Sequence, residues 1–71
     1  MKKTFQVGNV VAVSRKNARV WLDDDGDMTH LETGTTGVVS ELRGSLTVVD
    51  FKDTKWAGRP VKIKTAEIEL V

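Results

Sequence analysis

Residues 34–51 read GTTGVVSELRGSLTVVDF, and their spacing decides the fold class. Gly34 and Gly37 bracket two threonines and mark a turn. Val38 to Leu42 forms a β-rich run, Arg43-Gly44-Ser45 a short connection, and Leu46 to Phe51 a second run. Turn residues between β-branched segments predict turn, strand, hairpin, strand. Working outward, Gly8-Asn9 opens the run Val10-Val11-Ala12-Val13, which Ser14 closes. Ala18-Arg19-Val20-Trp21-Leu22 alternates, with Ala18, Val20 and Leu22 on one face and Arg19 and Trp21 on the other. The cluster Asp23-Asp24-Asp25-Gly26-Asp27 breaks that strand, and its Asp-Gly step suits a hairpin turn returning through Met28 to Leu31.

Beyond Phe51, residues 52–58 form a loop carrying Trp56. Pro60 has no N–H to give a ladder and suits a strand start. Val61 and Ile63 then point one way while Lys62 and Lys64 point the other. Thr65-Ala66-Glu67 fits one turn of 3₁₀-helix before a last strand from Ile68 to Leu70. No window sustains the i, i+3, i+4 apolar spacing of a helix, so the class is all-β.

With 71 residues the chain is one domain, residues 1–71, with residues 1–5 as a tail. At that size only about 60 % of the unfolded surface can be buried, so the core is small. There is no cysteine, which removes disulfides and thiolate metal sites and fits a cytoplasmic address. No apolar run reaches the roughly 20 residues of a membrane-spanning helix, and Met1-Lys2-Lys3 leads into no signal-peptide core. Net charge is +1, but it is segregated: +5 over residues 1–19, −6 over 20–42, +4 over 43–64 and −2 beyond. Such segregation points to a polarised surface.

Many short strands in so small a chain are best satisfied by a strongly bent sheet that hides its edges. The pattern at this point resembles the Src-homology-3-type (SH3-like) small barrel, and within it the KOW-like group. The resemblance rests on Gly8-Asn9-Val10-Val11-Ala12-Val13, on Gly34-Thr35-Thr36-Gly37-Val38-Val39, and on the strand ending at Phe51. A basic-apolar strand, a 3₁₀ turn and a closing strand containing Leu70 complete it. It covers residues 6–71 apart from an interruption at 14–33, and it departs from the group at Asn9, where an acid is usual. The resemblance implies a five-stranded barrel whose first and second core strands are separated by an inserted hairpin over 14–33. It is shared by ribosomal proteins, transcription elongation factors and accessory subunits of electron-transfer complexes, so it speaks to fold more than to function.

Candidate chemistry is sparse. Aligned on Gly26 as the sixth position of a calcium loop, Asp23, Asp25 and Glu32 fall on ligand positions. Trp21, however, takes the place of the leading carboxylate, and helical flanks are missing; no metal or other cofactor is expected. His30 is the sole histidine and has no nucleophile elbow beside it. The Gly34–Gly37 turn leads into a strand, not into the helix that a phosphate-cradling loop requires. A non-catalytic interaction module follows, with a protein partner as the leading expectation. That partner would dock on the hairpin through Trp21, Asp23, Asp24, Asp25 and Asp27, whose acidic tip would steer a basic surface. The alternative is RNA or DNA bound by Lys52, Lys55, Trp56, Arg59, Lys62 and Lys64, with Lys2, Lys3, Arg15 and Lys16 widening the patch. Self-association through an exposed strand edge is a third arrangement open to such a chain.

Overall fold

In the computed structural model, which describes residues 5–22, 26–52, 54 and 56–71, seven strands alternate with tight turns. They are β1 (Val10–Val13), β2 (Ala18–Leu22), β3 (Met28–Leu31), β4 (Thr36–Arg43), β5 (Leu46–Asp50), β6 (Val61–Lys64) and β7 (Ile68–Leu70). A 3₁₀ turn, Thr65–Glu67, joins β6 to β7. The all-β class expected from the glycine and valine spacing is what forms. Each β2 and β6 residue takes the face its period-two pattern assigns: Ala18, Val20 and Leu22 are buried around exposed Arg19, and Val61 and Ile63 are buried around Lys62 and exposed Lys64.

All seven strands belong to one antiparallel sheet in the order β3-β2-β6-β5-β4-β1-β7. The order is linear: among the described residues no ladder joins β3 to β7, so the sheet is not closed by hydrogen bonds. The expected barrel had five strands, with 14–33 standing outside the count. The hairpin instead adds two strands, because β2 carries a full apolar face and pairs directly with β6, Val20 opposite Ile63 and Trp21 opposite Lys62. β7 pairs back on β1, Val13 opposite Ile68, bringing the chain's end beside its first strand.

Val11, Val13, Val20, Leu22, Val39, Val49, Phe51, Val61, Ile63 and Ile68 make the core, with Phe5 and Trp56 closing it. Two local devices bend the sheet around them. Ser40 is the extra residue of a bulge between Val39 and Glu41, and its hydroxyl donates to the Val48 carbonyl at 3.2 Å. Gly37 lies where a Cβ would come within 2.5 Å of Val49 Cγ1 and 2.8 Å of the Asp50 carbonyl, so β4 crosses β5 closely only because that side chain is missing.

Candidate nucleic-acid interface

The turn between β1 and β2, Ser14 to Asn17, sets one wall of a polar cleft. Asn17 has φ 54°, a left-handed conformation that asparagine tolerates better than most residues, and it lets the chain reverse within four residues. Exposed Arg15 and Lys16 project from this reversal. The Ser14 N–H donates to the Glu67 carbonyl at 2.8 Å, tying the turn to the 3₁₀ segment. Arg15 Nη1 then reaches Glu67 Oε1 at 3.2 Å.

The opposite wall is the outer face of three strands. Arg19 stands opposite His30 on β3, and the β2–β6 register (Val20 on Ile63, Trp21 on Lys62) sets Arg19 beside Lys64. These walls enclose a cleft of about 210 Å³ lined by Arg15, Lys16, Asn17, Arg19, His30, Lys64 and Glu67, all of them polar. Among the described residues no carboxylate pairs with Lys16, Arg19 or Lys64.

One step along the same face lies a second row. Trp21, half-buried, sits between Met28 on β3 and Lys62 on β6. An indole on a sheet surface beside an ammonium group can stack a planar ligand, while the cations along the same face hold that ligand's phosphates. Trp21 was expected outward with Arg19, and it is; what the strand pattern did not reveal is that Lys62 and Lys64 are its neighbours.

The other expected binding residues scatter. Trp56 is 6 % exposed and belongs to the core, so its ring is not on the surface with Lys62. Its loop explains this: Thr54 Oγ1 donates to the Phe51 carbonyl at 2.8 Å and accepts from the Trp56 N–H at 3.2 Å, while the Gly58 N–H donates to Asp50 Oδ1 at 2.9 Å. These turns fold the segment back over the core and carry the indole inward. Exposed Lys52 and half-buried Arg59 ride on that loop, outside the cleft. Asp27 is exposed next to β3, where its carbonyl accepts from the Leu22 N–H at 2.7 Å. Asp23, Asp24, Asp25, Lys55, Lys2 and Lys3 lie outside the described residues. No group of three His, Asp or Glu side chains suited to a metal ion occurs among the described residues. No helix of the structure is long and apolar enough to cross a membrane.

Arg19, Asn17 and Glu67 carried no signal of a binding role. The alternation that put Arg19 beside Trp21 was visible, but neither the β2–β6 ladder nor the pairing of Glu67 with Arg15, 52 positions away, is encoded in local spacing. No family model, no curated protein and no solved structure matches the chain.

Proposed function

We propose that the protein is a non-catalytic module that binds single-stranded nucleic acid on the outer face of β3, β2 and β6. The observation that carries this is the convergence of Arg15, Lys16, Arg19 and Lys64, drawn from a turn and two strands, around one polar cleft beside the Trp21 indole. Phosphates supply the charge that such a cluster neutralises, and bases supply the planes that a half-exposed indole stacks. The cleft is smaller than the roughly 300 Å³ at which small-molecule pockets begin, which suits a strand crossing a surface better than an enclosed metabolite. On the side of fold, we read β7-β1-β4-β5-β6 as the five strands of an SH3-type, KOW-like barrel with the β2–β3 hairpin inserted. The order of elements, the 3₁₀ turn before the last strand and the return of β7 onto β1 support this.

A second reading keeps the hairpin as a dock for a protein partner, because Met28, 46 % exposed, lies beside Trp21 on the edge strand. Titrating eight-residue thymidine and uridine oligomers against tryptophan emission in a Trp56→Phe background, at two salt concentrations, separates the two. Nucleic-acid binding gives quenching that weakens with salt, and Trp21→Ala abolishes it. A flat response at low salt rejects the nucleic-acid reading and leaves the protein dock.

A further inference from the structure

Glu67 is the one element of the cleft that plain phosphate binding does not need. It is 7 % exposed, it lines a cleft otherwise dominated by cations, and its Oε2 is closed to water without a hydrogen-bond partner among the described residues. Its other oxygen holds Arg15 through a single 3.2 Å contact, and the Arg15 side chain is 69 % exposed. A buried acceptor without a donor is costly, and a carboxylate held against a guanidinium presents acceptors only. Phosphate, itself an acceptor, cannot satisfy it. The group that does must bring N–H donors into a site built for anions, and a nucleotide combines both.

We infer that Glu67 reads the base of a bound nucleotide and that the base is guanine, a proposal that rests on the nucleic-acid reading above. Guanine's Watson–Crick edge carries two adjacent donors, N1–H and N2–H, followed by the O6 acceptor. Among the common bases only guanine offers two neighbouring donors to the two oxygens of one carboxylate. The Arg15–Glu67 pair presents the complementary set, acceptors on Glu67 and a donor on Arg15 for O6. Uracil and thymine place a carbonyl on each side of their one imino donor, and each carbonyl repels a carboxylate oxygen. Adenine and cytosine offer their amino donor next to a ring acceptor. Oε2 is covered in the free molecule, so the base edge enters as Arg15, on its exposed turn, swings from Oε1 toward O6. The phosphate beside it falls to Lys16, Arg19 and Lys64.

The test uses the full chain and thymidine octamers carrying one central guanine, inosine, adenine or thymine, with affinities measured at low salt. The guanine oligomer binds tightest, and inosine, which lacks only the N2 amine, binds on the order of tenfold more weakly, as expected for one hydrogen bond to a charged acceptor. Glu67→Gln levels guanine with thymine, so that the ratio of the two affinities falls to about one. Equal binding of all four by the unaltered protein overturns the inference and leaves the nucleic-acid reading standing. A uniform tightening in Glu67→Gln overturns it too, because Glu67 would then only restrain Arg15. Binding of none of the four removes both proposals together. Should Glu67→Gln fail to fold, the guanine–inosine difference in the unaltered protein decides alone.

Discussion

Two tryptophans of one small domain have opposite positions, and single residues show why. Trp21 occupies the outward phase of β2, between buried Val20 and Leu22, while Trp56 is drawn into the core by the hydrogen-bonded turns around Thr54. Trp56→Ala leaves a cavity under the loop and costs about 3–5 kcal/mol by urea unfolding. Trp21→Ala costs roughly 1 kcal/mol and its main effect is loss of oligonucleotide quenching. A loss at Trp21 as large as that at Trp56 would count against its surface role. Gly37 is the other residue whose identity is forced, since a methyl there meets the Val49 side chain and the Asp50 carbonyl. Gly37→Ala therefore lowers stability by about 1–3 kcal/mol, read from the shift in melting temperature, because backbone on the far side cannot give way as a flexible side chain would. Both effects were half legible beforehand. Alternation showed Trp21 outward, but nothing local in residues 52–58 distinguishes a loop tryptophan that folds under from one that stays out.

At the scale of elements, the junction of β6 with the 3₁₀ turn shows how a polar pair is accommodated inside. Thr47 is fully buried on β5, and its hydroxyl lies 2.8 Å from Thr65 Oγ1, which itself donates to the Gly44 carbonyl at 3.0 Å. The pair thereby pins the β4–β5 turn to the start of the 3₁₀ segment. Thr65→Val strands the Thr47 hydroxyl and costs about 1–3 kcal/mol, whereas replacing both threonines by valine recovers much of that loss in a double-mutant comparison. The β2–β3 hairpin is the element whose part in the fold spacing left open. Its two strands and its acidic turn were evident from Ala18 to Leu31, but its pairing with β6 depends on which sheet edge is free to receive it. That pairing puts Arg19 next to Lys64. Arg19→Ala and Lys64→Ala each reduce the magnitude of the salt slope of oligonucleotide binding by a little under one, and they weaken guanine and thymine oligomers alike, as phosphate contacts do.

For the whole molecule the governing quantity is where charge ends up, since the net value of +1 describes no part of the surface. Basic segments separated along the chain, 15–19 and 62–64, meet on one face. If Lys16, Arg19 and Lys64, the three cations that Glu67 does not pair, each neutralise one phosphate of a single strand, log K falls with log salt at a slope of about −2, or about twentyfold between 50 and 200 mM salt. Filter binding across that range measures it, and a slope near zero contradicts a phosphate interface. By itself the sequence determined the all-β class, the strands from Val10 to Leu70, the 3₁₀ turn and the face of each residue in β2 and β6, because period-two burial and turn chemistry act over a few neighbouring residues. Only the tertiary structure decided that seven strands form one linear sheet, that Trp56 is core, and that Glu67 pairs with Arg15 in a cationic cleft. Those outcomes depend on long-range ladders, and a ladder is set by which apolar faces can be buried against each other, a property of the assembled chain.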